Sequence, residues 1–487
     1  MINANASDFI TTQPDLNSRI HGCWLGKSIG GTLGLPAEGK MERLHFSFYD
    51  PVPTIAPPND DLELQLVWLH LVENAGSSLT QADFARAWLD HLHYMWDEYG
   101  RTRWNLRRGV PVESVGTFEN PFHAGMGSPI RSEIWACLFA GDPDSAAHYA
   151  ALDASLDHGT EGIAGEVLFA VMQSEVAAGK NLEDAITLAL RYIPAGSETA
   201  LAVEWIRNSH RLGVPAWDCW KDLLTRHGHE NFTHAPLNVA LTIWALWYGE
   251  GDFETSILLA VNGGYDTDCT AATVGATLGL MLGTDGIPAR WIEPIGEGVF
   301  VGPGIVGISA PRTLTELTER TAALIGKLVP MAWDGSFWEQ SPSPVDLETL
   351  PGTLLLHPAD GGQPVVWANG ELPSRIKQAG GANWTWHVEG NEAREIICLA
   401  RDGARLFIDN KEVIECPACL PYVTATHRCP AGSRVRVSAG VGAHEVRLEL
   451  NGRDPQQDAS VILAYPNFHI CPWTAEELPD PADLPAP

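Results

Sequence analysis

The chain is poor in positive charge: its 487 residues include 31 Lys and Arg against 61 Asp and Glu, a formal net charge of −30. A surface of this sign repels phosphate backbones, which argues against nucleic-acid binding driven by counterion release. It also disfavours docking on anionic membranes. The simple explanation of the acidity is solubility. The alternative is that some carboxylates converge on a cation, which requires support from their spacing.

The sequence also lacks any apolar run approaching the roughly 20 residues that span a bilayer, so we expect no membrane segment. The stretch Met1–Asp15 is polar and has no basic region followed by an apolar one, so we expect no secretory signal. The 9 cysteines are scattered along the chain, as expected for reduced thiols. Together these absences predict a cytoplasmic protein.

Two kinds of hydrophobic pattern divide the chain. Up to about residue 330, apolar residues recur at helical spacing, from Leu62–Glu73 to Asp252–Val261. From Gly352 the apolar runs are short, often alternate, and are separated by Gly, Pro and Asn, which is typical of a jelly-roll-like β-sandwich. We predict an all-α domain over residues 1–335, a β-sandwich accessory domain over 350–475 and a disordered tail over 476–487.

Two helical segments carry small residues at every fourth position. The first has Gly22, Gly26, Gly30 and Gly34, and the second has Ala271, Gly275, Gly279 and Gly283. This spacing places each set on one helix face. Because glycine costs about 1 kcal/mol per site relative to alanine inside a helix, such stripes indicate close approach of two helix backbones.

Acidic residues flank these two helices. Glu38 follows the first helix, and Asp266 and Asp268 immediately precede the second. If the helices pack antiparallel, the three carboxylates lie at the same end of the pair. The alternative is that the acids merely cap helices, a role that accounts for a single carboxylate but not for several along a glycine-lined contact.

A further acidic pair, Asp60 and Asp61, opens another predicted helix after Pro57-Pro58-Asn59. Taken alone, neither this pair nor the Asp266/Asp268 pair is good evidence for a metal site, since each could simply cap a helix. Together the two doublets supply the oxygen ligands that hard cations such as Mg²⁺ or Mn²⁺ prefer. Four carboxylates packed without a cation would be costly, because like charges raise one another's pKa.

The order of these motifs resembles the ADP-ribosylglycohydrolase family, which includes dinitrogenase-reductase-activating glycohydrolases and ADP-ribosyl-acceptor hydrolases. The motifs are a glycine-rich helix ending in Glu38, then Asn59-Asp60-Asp61, then Gly-Gly-Tyr-Asp266-Thr-Asp268 before a Gly/Ala helix. The resemblance covers roughly residues 16–325. The segment Gly125-Met-Gly127-Ser128-Pro-Ile-Arg131 is similar to the family's central glycine-rich loop.

The resemblance implies an all-α fold with one or two Mg²⁺ or Mn²⁺ ions held by Asp60, Asp61, Asp266 and Asp268. It places Glu38 near the substrate ribose, with Asp61 and Asp268 as further catalytic acids. Asn59 stands where the family has a metal-binding Thr or Ser, and its carbonyl oxygen can still serve. Cys269 stands where the family has another metal-binding Thr. The substrate-orienting candidates are His123, Gly127, Ser128, Arg131, Asp157 and His158.

The resulting hypothesis is a hydrolase that cleaves an N- or O-glycosidic bond in an ADP-ribosylated substrate, a riboside or another small glycoside. Two alternatives stay open: a catalytically idle scaffold of the same fold, and a metal phosphohydrolase. Cys416, Cys419 and Cys429 have the rough spacing of a zinc site, but buried thiols explain them better. Trp367, Trp384 and Trp386 are read as core residues rather than sugar-stacking ones.

Overall fold

The computed structural model describes residues 14–390, 393–420, 422, 425, 427–474 and 478. Its first part is helical. The helices are α1 (Leu16–Gly34), α2 (Asp60–Asn74), α3 (Gln81–His91), α4 (Asp97–Arg107), α5 (Glu133–Leu138), α6 (Pro143–Ala154), α7 (Thr160–Ala177), α8 (Leu182–Ala189), α9 (Glu198–Arg211), α10 (Ala216–His227), α11 (Ala235–Tyr248), α12 (Phe253–Asn262), α13 (Thr267–Leu282), α14 (Ala289–Ile292) and α15 (Leu314–Ala323).

Helices α1 and α13 pack with their backbones in contact, as the glycine spacing predicts. They run antiparallel, which is the condition on which the expected proximity of the flanking carboxylates rests. A Cβ atom built on Gly26 would lie 2.0 Å from the Gly275 carbonyl oxygen, and one on Gly30 would lie 2.0 Å from that of Ala271. One on Gly34 would lie 2.2 Å from the Thr267 carbonyl oxygen. No side chain fits between the two helices, so this glycine seam fixes their separation.

The second part of the chain consists of antiparallel strands and one short helix. The elements are β1 (Leu354–Pro358), β2 (Val365–Trp367), α16 (Ser374–Ala379), β3 (Gly381–Val388), β4 (Arg394–Ala400), β5 (Ala404–Ile408), β6 (Lys411–Cys416), β7 (Arg434–Val437), β8 (Gly442–Leu450) and β9 (Ala459–Ala464). One sheet has the order β2-β1-β3-β8-β5-β6 and the other β7-β4-β9.

The two sheets pack face to face without closing, and this confirms the fold class. Their shared core includes Trp384 and Leu406 from one sheet and Ile396 and Val461 from the other. Strand β9 is buried at every position and β4 at all but its first. Such burial requires a cover on the second face of the smaller sheet, and the helical domain provides it: Ile397, Leu399 and Ile462 pack on Trp104 of α4.

The division at residues 335 and 350 remains a prediction. A short 3₁₀ helix (Ser336–Glu339) lies in the linker, and Leu350 still packs in the core of the helical domain. The predicted tail, apart from Leu478, lies outside the described residues. Over the part of the chain that the model describes, no helix combines the length and hydropathy required to cross a bilayer.

The glycine seam predicts a specific cost. Replacing Gly26 by Ala raises helix propensity by about 1 kcal/mol but places a methyl group against the Gly275 carbonyl. Overpacking of this kind costs about 1–3 kcal/mol or more. We expect a net loss of about 2 kcal/mol in the free energy of unfolding, measured in urea. Gly76→Ala is the control, since no atom lies within 4 Å of its Cβ; equal stability of both variants would contradict close packing.

Candidate metal centre and active site

A cavity of about 630 Å³ opens where α1 ends and where α2 and α13 begin. Glu38, Asn59, Asp60, Asp266 and Asp268 line its acidic floor. Segments from five other places complete the walls: residues 93–99, Met126 and Gly127 with Ile130, and residues 302–304 of the helical domain, and two loops of the C-terminal domain. Acids that are more than two hundred residues apart in sequence therefore face one space.

The turn that carries Glu38 is fastened to the turn that precedes α13. The Gly39 amide donates to the Tyr265 carbonyl at 2.9 Å, and the Tyr265 amide donates to the Lys40 carbonyl at 2.9 Å. In addition, the Thr267 hydroxyl donates to the Gly34 carbonyl at 2.8 Å. The seam and these hydrogen bonds bring Glu38 beside Asp266 and Asp268, as the sequence predicts.

Asn59 caps α2 and connects it to α13. Its side-chain oxygen accepts a hydrogen bond from the Asp61 amide at 2.7 Å, and its Nδ2 donates to Asp268 Oδ2 at 3.2 Å. Asp60 faces the cavity, where the Tyr99 hydroxyl donates to its Oδ2 at 3.2 Å. Asp61 does not line the cavity; it is 1 % exposed and lies beneath the floor. This position suits an ion ligand better than a group that touches substrate.

The acids are arranged as a cation site would require. One group comprises Asp61, Asp268 and Cys269, and a second comprises Glu38, Asp266 and Asp268, each with potential ligand atoms within 4.8 Å of one another. Both carboxylate oxygens of Asp61 and Oδ1 of Asp268 are buried and lack a hydrogen-bond partner among the described residues. Buried carboxylate oxygens without hydrogen bonds are costly, so these residues fit a bound hard cation.

The carboxyl groups hold protons tightly when no cation is near. Burial, followed by the charges of Asp268 and Asp60, raises the pKa of Glu38 to about 8. Burial and the charges of Asp268 and Glu63 raise the pKa of Asp60 to about 7. Burial likewise raises the pKa of Asp61, Asp266 and Asp268. Like charges in a shared site cannot all ionise without compensation.

Lys27, on α1, supplies part of that compensation. Its ammonium lies 3.5 Å from Asp61 Oδ1 and 3.1 Å from Glu133 Oε1, and all three side chains are buried. The same two acids raise the pKa of Lys27 against the effect of its burial. Sequence reasoning missed this residue. The available signal was a single lysine within the mostly apolar stretch Cys23–Ile29 of the glycine-striped first helix.

Only Gly127 of the six predicted substrate-orienting residues lines the cavity. His123 is exposed and lies against Gly159. The other four are buried and form no part of the cavity wall: Ser128, Arg131, Asp157 and His158. They are too enclosed to touch a substrate in this structure, so direct contact is not supported for them.

Instead, Arg131 is the centre of a buried ion network. Its Nη2 lies 2.7 Å from Asp157 Oδ1, and its Nε lies 2.9 Å from Asp153 Oδ1. His158 Nδ1 lies 2.9 Å from the same oxygen of Asp157, and His158 Nε2 lies 3.6 Å from Glu98 Oε1. Despite burial, the carboxylates of Asp157 and Glu98 raise the pKa of His158 to about 9. The network therefore ends at Glu98, a cavity-lining acid that the sequence did not single out.

The zinc alternative for the C-terminal domain is not supported. Cys416 packs in the core between the two sheets, whereas Cys419 packs in the cluster beside the helical domain. Among the described residues, the only groups spaced to hold a metal are the two acidic ones. Trp367, Trp384 and Trp386 are 2–3 % exposed, which agrees with their expected role in the core.

A family model for ADP-ribosylglycohydrolases matches residues 12–328. The chain belongs to the ADP-ribosylglycohydrolase family. This membership supports a glycohydrolase, and such enzymes act on ADP-ribosylated substrates and generally use divalent metals. The matched residues contain all the floor acids but exclude the C-terminal domain.

Individual relatives of this ADP-ribosylglycohydrolase family member are distant. An uncharacterised protein of Archaeoglobus fulgidus is 24% identical over 316 residues, which is 59% of this chain and 94% of the relative. An ADP-ribosylarginine hydrolase of Pseudomonas putida is 40% identical over 53 residues, or 11% of this chain and 14% of the relative. A solved ADP-ribosylglycohydrolase-related protein complex matches with 21% identity and a TM-score of 0.43, covering 64% of this chain and 98% of that one.

The raised pKa values predict how stability depends on pH. Because Glu38 and Asp60 bind protons more tightly in the folded than in the unfolded state, the metal-free protein should lose stability as pH rises from about 5 to about 8. Millimolar Mn²⁺ should raise the melting temperature, and more so at pH 8, because protons compete for the same oxygens. Thermal unfolding across this range measures both effects.

Asp268→Asn removes one of the repelling charges and is the comparison variant. It should show a smaller fall in melting temperature between pH 5 and pH 8 and no response to Mn²⁺. A wild-type melting temperature that is the same at both pH values and insensitive to Mn²⁺ would argue against a shared carboxylate site.

Proposed function

We propose that this protein is a divalent-metal-dependent hydrolase that cleaves an N- or O-glycosidic bond in a riboside, an ADP-ribosylated substrate or another small glycoside. The observation that carries the proposal is the convergence of Glu38, Asp60, Asp266 and Asp268 on one cavity floor, above buried oxygens of Asp61 and Asp268 that accept no hydrogen bond from the described residues. The cavity of about 630 Å³ is within the size range of small-molecule sites.

Asp60, Asp61, Asp266 and Asp268 would hold the cation. Asn59, predicted as a further ligand, orients Asp268 instead, because its Nδ2 faces that acid while its side-chain oxygen caps α2. When bound, a Mg²⁺ or Mn²⁺ ion supplies Lewis acidity and offsets the negative charge of the floor. The starts of α2 and α13 both point at this floor, and their dipoles favour the ionised form of these acids.

Glu38 is the acid best placed to move a proton. It is exposed to the cavity, whereas Asp61 is enclosed beneath the floor. We assign Glu38 the role of accepting a proton from the attacking water while the water oxygen bonds to the anomeric carbon. As the bond from that carbon to the leaving atom breaks, the leaving atom takes up one proton, so the overall reaction consumes one water.

Two features favour a single ion over two. The Cys269 thiol, which stands in the ligand group with Asp61 and Asp268, is a poor donor to a hard cation, and burial raises its pKa. The Lys27 ammonium already supplies one positive charge beside Asp61. The floor therefore needs less added charge than four free carboxylates would.

An activity screen with matched variants tests the proposal. The substrates are ADP-ribosyl-arginine, nucleosides and nitrophenyl ribofuranosides of both anomers, each with and without Mn²⁺. Asp268→Ala should abolish calorimetric Mn²⁺ binding and sugar release. Glu38→Gln should lower kcat by about 10²–10⁴-fold, the usual contribution of a positioned acid or base. Asp285→Asn, an exposed residue beyond the far end of α13, should leave both readouts unchanged.

Two outcomes would favour the rival functions. Absence of Mn²⁺ and Mg²⁺ binding at millimolar concentration would favour an idle scaffold. Release of phosphate from nucleotides without release of sugar would favour a metal phosphohydrolase.

A further inference from the structure

The C-terminal domain, which lies outside the family match, forms part of the cavity wall. His427 and Arg428 reach it from the segment before β7, and Asn467 and His469 reach it from the loop after β9. These residues face a space whose floor belongs wholly to the helical domain. The site is therefore incomplete without the second domain.

Buried contacts fix the second domain in this position. Trp104 of α4 is 2 % exposed and packs against β4 and β9. Arg101 Nη1 donates to the Asn369 carbonyl at 3.0 Å, and Arg108 Nε donates to the Pro351 carbonyl at 2.7 Å. An interface made of an apolar cluster and buried guanidinium groups holds the two cavity-lining loops over the acidic floor.

Arg428 is the residue that crosses the cavity wall. Its guanidinium pairs with Asp97, at the start of α4, and lies over the Phe232 ring at 4.4 Å from the centroid. Its Nε is buried and has no hydrogen-bond partner within the described chain. Beside it, His427 lies 6.0 Å from the Trp96 ring, between centroids. The wall thus presents a paired donor and acceptor next to a partly exposed aromatic surface.

The charges around the cavity argue against a phosphate-bearing substrate. Among its lining residues, all of them in the described part of the chain, Arg428 is the sole Lys or Arg, and Asp97 neutralises it. Glu98 also lies against the glycine-rich loop: its Oε1 is 2.0 Å from where a Cβ of Gly127 would stand. The Glu98 carboxylate, which His158 pairs from behind the wall, brings no positive charge to the cavity. A cation on the floor would offset the floor acids, and no further positive charge remains for a diphosphate.

We infer that the C-terminal domain is part of the substrate site and that the Arg428–Asp97 pair selects a neutral glycoside. The guanidinium donates to substrate oxygens, the carboxylate accepts from substrate hydroxyls, and the edge of Trp96 and His427 contacts an apolar ring face. This inference rests on the proposed function, because it specifies which glycosides that same site takes. Compared with ADP-ribosylated substrates, the predicted class lacks phosphate.

The test compares neutral substrates with their phosphorylated counterparts. Nucleosides and nitrophenyl ribofuranosides are assayed against nucleoside 5′-monophosphates and ADP-ribosyl-arginine, with Mn²⁺ present. The wild type should favour the neutral compounds by at least tenfold in kcat/KM. Arg428→Gln should raise KM for them by about tenfold, the usual effect of losing a hydrogen bond from a charged donor, with little change in kcat. Mn²⁺ affinity should not change.

Two further variants separate a binding role from a structural one. Arg405→Gln breaks an exposed ion pair with Glu449 in the same domain and should leave KM unchanged. Arg428→Lys keeps the charge but loses the planar fork, so it should also raise KM, and it serves if Arg428→Gln does not fold. Melting temperatures of all variants identify any folding defect.

The outcomes separate this inference from the proposed function. Preference of the wild type for phosphorylated substrates, or an unchanged KM in both Arg428 variants, would overturn the inference while leaving glycoside hydrolysis intact. If no glycoside is hydrolysed, the proposed function fails. The inference is then tested by calorimetry, which measures binding of inosine to the Mn²⁺-loaded wild type and Arg428 variants. Binding that depends on Arg428 would then uphold it, and absence of binding would overturn it.

Discussion

Direct backbone contact between α1 and α13 is the constraint on which the rest of the site depends. Because no side chain separates the two helices at Gly26 and Gly30, their axial positions are locked against each other. The end of α1 must then lie beside the start of α13. The hydrogen bonds between the two adjoining turns complete the alignment. Close packing far from the cavity thereby sets the position of Glu38 relative to Asp266 and Asp268.

Placing those carboxylates together creates an electrostatic cost that the fold offsets in several ways. Lys27 lies behind Asp61, and two helix N-termini face the floor. Raised pKa values keep Glu38 and Asp60 partly protonated near neutral pH. The remaining cost comes from buried oxygens of Asp61 and Asp268 that accept no hydrogen bond from the described residues, and a bound cation would relieve it. Because of this compensation, several carboxylates can lie together in the interior of the helical domain without unfolding it.

Local sequence pattern was enough to predict the helical domain and the close contact between two glycine-striped helices; the common location of the floor acids followed on the condition that those helices run antiparallel. These follow from periodicity and from helix ends, which are short-range properties. The position of Arg131 and His158 behind the cavity wall could not be predicted, because a motif does not reveal on which side of a wall a side chain lies. Lys27 was missed because a helical lysine is usually a surface residue. Arg428 could not be found, since its role depends on how two domains dock.

The smaller sheet of the C-terminal domain has a consequence for how this chain can be divided. Strands β4 and β9 are apolar on both faces, one toward the larger sheet and one toward Trp104. A fragment that contains only the helical domain would expose Trp104 to water. A fragment that contains only the C-terminal domain would expose the apolar outer face of β4 and β9. Each domain therefore covers an apolar surface of the other. We therefore expect a truncation that separates them to give two aggregation-prone fragments rather than two functional domains.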